Sequence, residues 1–165
     1  MLIVFSGPPC SGKSTLAAEI ARRRGLPHLS MDATRRRILP GAAHTRGDRR
    51  AAYRAMHFAA ELLERAGAGA VLDAPYGHAE DRQDLARIAP PAAFRHIECH
   101  VSAAEAARRF ERRGPDPGKP DLAAERVRRL ARAHRYTNAG LSLDTGVLSP
   151  AECLAAIQDW LERAD

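Results

Sequence analysis

Eight residues near the N-terminus, Gly7-Pro8-Pro9-Cys10-Ser11-Gly12-Lys13-Ser14, satisfy the pattern G-x-x-x-x-G-K-[ST] at every fixed position. The chemistry such a loop serves is polyphosphate binding. Its glycines let successive backbone N–H groups turn inward around an anion, and the N-terminus of a following helix adds partial positive charge at the same point. In that arrangement Lys13 reaches the β- and γ-phosphates of a nucleotide and Ser14 offers its hydroxyl to Mg2+. The candidate nucleotide-binding residues are therefore Gly7, Pro8, Pro9, Cys10, Ser11, Gly12, Lys13, Ser14 and Thr15. Cys10 reads in two ways: as a thiol activated by the helix N-terminus, or as a small side chain that fits the turn.

Two carboxylates have the placement that phosphoryl transfer needs. Asp73 ends the apolar run Ala70-Val71-Leu72; at the end of a buried strand beside the loop it can hold Mg2+ together with Ser14. Asp32 follows a second short strand candidate, Pro27–Met31, and can orient or deprotonate an acceptor hydroxyl; Arg35, three residues on, shares its helix face. The plainer alternatives are a strand-end cap for Asp73, and a helix cap beside an exposed arginine for Asp32 and Arg35.

The elements that must position these groups alternate along the chain. Leu2–Ser6 is a wholly apolar run, the mark of a strand buried on both faces, and Lys13–Arg24 reads as the helix after the loop. Asp32–Leu39 is a short helix ended by Pro40-Gly41, and Arg49–Ala66 carries the strongest helical periodicity, with Met56, Ala59, Leu63 and Ala66 on one face. Strand Ala70–Ala74, helix Glu80–Ala89, strand Phe94–Val101, helices Ala103–Arg113 and Asp121–Arg135, strand Leu141–Leu143 and a helix opened by Pro150 follow. Repeated alternation of this kind predicts one α/β domain over 1–165, a three-layer α/β/α sandwich around a parallel sheet.

Composition narrows the function classes. The net charge is +6, and Lys13 and Lys119 are the only lysines beside 24 arginines. This balance admits a polyanionic partner, but most arginines lie on helices with acidic neighbours and read as solvated faces. Aromatic residues make up only 5%, too few and too scattered for a base-stacking platform. Three widely spaced cysteines imply no disulfide framework, and His96 and His100, four apart on one strand, stand roughly 13 Å from each other, too far to share an ion. No apolar run approaches the roughly 18–20 residues that span a bilayer, so the expectation is a cytoplasmic protein without a membrane partner.

Gly7–Thr15, Asp32-x-x-Arg35, Leu72-Asp73 and the later arginine-rich helix together resemble the small P-loop kinases of AAA-type description. That group includes 5′-hydroxyl polynucleotide kinases, zeta-toxin-like sugar-nucleotide kinases, chloramphenicol phosphotransferase and gluconate-kinase-like enzymes. The resemblance implies a five-stranded parallel sheet, Asp32 as the base that activates the acceptor, Arg35 as an acceptor-side contact, and a helical lid over about 108–135. Within that lid it implies phosphate-clamping arginines, for which Arg109 and Arg113 have the spacing, and a tip at Gly114–Pro120 that includes Lys119. It also places Arg82 after the Asp73 strand and the Leu141–Thr145 turn near the nucleotide base.

The leading expectation is a kinase that uses ATP and Mg2+ to phosphorylate a hydroxyl of a small molecule. The first alternative is a 5′-hydroxyl polynucleotide kinase, which the basic balance would suit and which would bind in a salt-dependent way. The second is an ATP-hydrolysing switch or binding module. Tyr76 and His78, and likewise His44 and Arg46, read either as substrate contacts at the binding edge or as polar surface segments.

Overall fold

The computed structural model describes residues 1–42, 45–89, 93–114, 122–138 and 140–163. Among the described residues five strands and seven helices follow one another in the order β1 (Leu2–Ser6), α1 (Lys13–Arg24), β2 (His28–Ser30), α2 (Met31–Ile38), α3 (Arg46–Arg65), β3 (Ala70–Asp73), α4 (Ala79–Ala86), β4 (Phe94–His100), α5 (Ala103–Arg113), α6 (Ala124–Ala133), β5 (Leu141–Asp144) and α7 (Pro150–Glu162). The strands form one parallel sheet in the order β2-β3-β1-β4-β5. The expected α/β/α sandwich around a five-stranded parallel sheet is what the chain adopts.

All five residues of β1 are buried because it is the central strand, flanked by β3 and β4 and covered on both faces. Its alternation divides the core in two. Leu2 and Val4 join Met31 of α2, Tyr53 and Met56 of α3 and Leu85 of α4; Ile3 and Phe5 join Leu16 and Ile20 of α1 and Ile157 and Leu161 of α7. A third, smaller cluster pairs Ala106 and Phe110 of α5 with Val127 and Ala131 of α6, so the helical hairpin expected as a lid has a core of its own.

Element boundaries shift where capping decides them. Asp32 does not cap α2: Ser30 does, its hydroxyl accepting from Ala33 N, and Asp32 stands in the first turn instead. α3 begins earlier than the apolar periodicity suggests, at Arg46, because Thr45 and Asp48 form a reciprocal capping box. His44 and Lys119, with the expected lid tip beyond Gly114, lie outside the described residues. Among the described residues no helix is long and apolar enough to cross a membrane.

Candidate functional site

The loop Gly7–Gly12 leaves the C-terminal end of the central strand, where the sheet order reverses and an open α/β sheet offers its crevice. Gly7 adopts φ 146° and a Cβ there would stand 2.6 Å from the carbonyl oxygen of Cys99 and 2.7 Å from Ser11 Oγ, so the chain can pass only without a side chain. Cys10 (φ 63°) and Gly12 (φ 81°) also take left-handed conformations, folding the loop back over the helix entrance. Gly7 N donates to Pro75 O at 3.3 Å, tying the loop to the segment after β3.

α1 starts directly from Gly12. Its first turn has no side-chain cap and no acidic residue, whereas Ser30, Thr45, Ser102 and Ser149 cap α2, α3, α5 and α7. The N–H donors and positive dipole end of α1 are thus left to face an anion. Lys13 is only 8% exposed, and its charge acts on Asp73 at the end of β3.

Asp73 closes this site from β3, paired in register with Phe5. The carboxylate is buried, and Oδ1 has no protein hydrogen-bond partner; Oδ2 lies 3.7 Å from His28 Nε2. Burial works to raise its pKa, but His28, Lys13 and Ser14 outweigh that and hold it below the ordinary carboxylate range. A buried, ionised carboxylate with an unused oxygen, near the Ser14 hydroxyl, fits a hard divalent cation such as Mg2+. Ser11 Oγ is likewise buried without a partner.

Two cavities border this loop, one through Cys10 and Gly12 and the other through Pro9. One, of 470 Å3, is lined by Cys10, Gly12 and Thr15 of the loop and α1, by Arg109, Arg112 and Arg113 of α5, and by Thr145, Leu148 and Cys153 beyond β5. The other, of 320 Å3, is lined by Pro9, Met31, Tyr53, Pro75 and Gly77, with Arg46, Arg49, His78, Asp81, His134 and Arg135 supplying its polar groups. Arg109 and Arg113 therefore border the cavity on the Cys10 side. The Arg109 guanidinium is engaged by protein, donating to Cys10 O at 3.3 Å, Thr145 Oγ1 at 3.2 Å, Thr145 O and Glu105 Oε1. Arg113 is exposed, 5.9 Å from the Phe110 ring. Cys10 packs against the α5–α6 cluster, which gives it a packing role.

Around the second cavity, Asp32 is half-buried and adds to the field that keeps the Tyr53 phenol from ionising, after burial and Asp81. Arg35 is 3% exposed, not the surface arginine of the plain capping alternative. Arg46 is no loop residue: from the first turn of α3 it grips buried Asp81 of α4 through two bonds of 3.0 and 2.9 Å. Tyr76 is fully buried, its hydroxyl 3.0 Å from His57 Nε2 and its N–H donating to Tyr53 Oη, so its ring belongs to the core. Arg82 donates to Tyr76 O at 2.6 Å. His78 lines the cavity directly.

Sequence reasoning missed Glu98, Arg49, Asp81, His134 and Arg135. Glu98 is 1% exposed and accepts from Thr137 N at 2.8 Å, Thr137 Oγ1 at 2.7 Å and Asn138 N at 2.7 Å, anchoring the return from α6 onto β4. A glutamate inside a buried strand was the available signal; its partners, about 40 residues away, carried none.

A family profile described as an AAA domain (AAA_33) matches residues 2–137, and the chain belongs to that family. Comparison with curated proteins returns no match. Among solved structures the chain is similar to a sugar kinase from Janibacter sp. HTCC2649, with TM-score 0.76 and 20% identity over 97% of this chain and 93% of that one. It is also similar to a gluconokinase from Sinorhizobium meliloti 1021 (TM-score 0.74, 20% identity, 98% and 91% covered). A third is the APS kinase of Mycobacterium tuberculosis, solved with AMPPNP and APS (TM-score 0.73, 22% identity, 98% and 97% covered). At these identities the likeness establishes the fold: that of the small P-loop kinases.

Proposed function

We propose that this chain is an ATP- and Mg2+-dependent phosphotransferase that moves the γ-phosphate to a hydroxyl of a small molecule. The observation that carries the proposal is the pair of cavities that border one phosphate loop. A donor nucleotide in the Cys10-side cavity and an acceptor in the Pro9-side cavity would meet at Gly7–Lys13. A hydrolysing switch would need only the first.

In this mechanism the nucleotide base and sugar lie toward Thr145 and α5, with the phosphates over Gly12 and the start of α1. Ser14 and Asp73 would hold Mg2+, which supplies charge neutralisation and a template for in-line displacement. Lys13 balances charge on the β- and γ-phosphates as the bond to the leaving oxygen lengthens. Asp32, in the first turn of α2 beside Met31 of the cavity wall, orients the acceptor hydroxyl and takes its proton. Arg35, buried on the same helix, fixes the acceptor side, and Arg113 closes from α5 to exclude water. The fold shared with a sugar kinase, a gluconokinase and an APS kinase supports the same reading.

A small acceptor is favoured over a nucleic-acid end because six separate segments wall the second cavity: the phosphate loop, α2, α3, the Pro75–His78 turn, α4 and the end of α6. At 320 Å3 it suits a molecule of roughly a dozen non-hydrogen atoms. The test is transfer from γ-labelled ATP to sugars, polyols, nucleosides and 5′-hydroxyl oligonucleotides at two salt concentrations. Label on a small acceptor, little affected by salt, is the expected result. Label on oligonucleotide ends alone, falling steeply with salt, would replace it with a polynucleotide kinase.

A further inference from the structure

We infer that His134 reads the acceptor: its imidazole hydrogen-bonds a second hydroxyl of the small molecule, distinct from the one that is phosphorylated. The acceptor is then a polyhydroxylated molecule such as a sugar or polyol. The inference rests on the kinase reading above and adds the chemistry of the substrate. Most polar groups that line the second cavity are already taken up. Arg46 holds both oxygens of Asp81 and also reaches Glu80, Arg49 has a partner within the protein, and the Tyr53 hydroxyl accepts from Tyr76 N. His78 and Arg135 are exposed, where water competes for them. His134 is half-buried, and among the described residues none hydrogen-bonds its ring.

Two contacts fix that ring. Tyr136 meets it edge-on with centroids 4.6 Å apart, and Tyr136 itself stacks on His100 of β4 at 3.8 Å. At Gly77, which also lines the cavity, a Cβ would stand 3.2 Å from His134 Nδ1, so the ring fits against the turn after β3 because residue 77 has no side chain. Burial, and then the charge of Lys13, lower the His134 pKa to about 4. Near neutral pH the imidazole is therefore uncharged, with one nitrogen that donates and one that accepts. A hydroxyl, which also does both, is its matched partner. The apolar wall of Pro9, Met31, Pro75 and Leu130 suits the C–H faces of such a molecule. His134 is the C-cap of α6, so a bond from it to the acceptor would join the helical hairpin to the substrate. A correctly hydroxylated acceptor would then favour closure while its reacting hydroxyl meets Asp32, which puts binding energy away from the reacting atoms to use in transfer.

The experiment uses the full chain and γ-labelled ATP with a panel of sugars and polyols, each beside analogues that lack one hydroxyl, and with a 5′-hydroxyl oligonucleotide alongside. The expected result is that loss of one hydroxyl other than the phosphorylated one lowers kcat/KM by about 10-fold. In His134→Phe, whose ring can keep the edge contact with Tyr136, that difference should shrink to about 2-fold or less, carried by the KM of the parent acceptor. His134→Gln, whose amide both donates and accepts, should keep part of the preference. Gly77→Ala crowds the imidazole without removing it and should also weaken the preference. A preference unchanged in His134→Phe, or in Gly77→Ala if only that variant folds, would overturn the role of His134. Equal use of every deoxy analogue would overturn it while leaving the kinase standing. Preference for the oligonucleotide over every small acceptor would overturn it as well. Label released only as phosphate, whatever acceptor is added, would remove the kinase reading and this inference with it.

Discussion

Arg109 of α5 donates to the carbonyl oxygen of Cys10 inside the phosphate loop at 3.3 Å, and the same guanidinium reaches both oxygens of Thr145 just after β5. One side chain thus ties the hairpin, the loop and the far edge of the sheet together at the rim of the larger cavity. The arginine-rich helix gave Arg109 and Arg113 equal standing as phosphate clamps. With its guanidinium engaged by Cys10 and Thr145, Arg109 is expected to position the loop, and the exposed Arg113 to move onto phosphate.

Arg109→Lys keeps the charge but cannot reach Cys10 and Thr145 together. Losing one or two hydrogen bonds of about 1 kcal/mol each should weaken nucleotide binding by about 10-fold. Competition with a fluorescent ATP analogue measures this. Unchanged affinity would remove the positioning role.

Asp73→Asn keeps the shape of the side chain at the unpartnered oxygen and removes its charge. The Mg2+ concentration for half-maximal activity should rise by roughly 10–100-fold. Because the Asp73 carboxyl is held below its ordinary range, it stays ionised at mildly acidic pH, so a Mg2+ titration at pH 5.5 should show no loss from this group. A Mg2+ requirement identical in both proteins would place the metal elsewhere.

Much of this was legible from residue types alone. An unbroken apolar Leu2–Phe5 can only be a strand covered on both faces, and its neighbour Gly7–Ser14 carries the cradle in consecutive residues. Asp73 was legible because it ends an equally apolar run. What escaped depends on groups distant in sequence. Arg46 finds Asp81 35 residues on, and Tyr76, between a proline and a glycine, looks like turn chemistry until Tyr53 and His57 enclose it. The Thr45-x-x-Asp48 capping box was readable locally, but apolar periodicity alone delays the start of α3 to Arg49.

Glu98→Gln tests the anchor under the hairpin return. The glutamine can accept from Thr137 but presents an amide N–H where Asn138 N donates. Since hydrogen bonds to a charged acceptor are worth roughly 1.5–3 kcal/mol, a loss of about 2 kcal/mol is expected in urea unfolding. No loss would mean the 134–138 segment is held by its packing alone.

His57 makes stability depend on pH. Burial lowers its pKa from 6.5 to about 4, so between those values the unfolded chain binds a proton that the folded chain refuses. Stability from this group is complete above pH 6.5, falls as pH drops toward 4 and is level below that. Between pH 7 and pH 5 the loss should reach about 2 kcal/mol at most. Urea unfolding of the chain and of His57→Gln at both values checks it; equal pH slopes would show that other groups dominate.

The most direct measurement follows label from γ-labelled ATP in a single turnover, with Mg2+ and the best acceptor, for the chain and for Asp32→Ala. The predicted result is label on the acceptor in the first, reduced by about 100-fold or more in the second. Label released only as inorganic phosphate, at equal rates in both, would contradict phosphotransfer and leave an ATP-hydrolysing switch in its place.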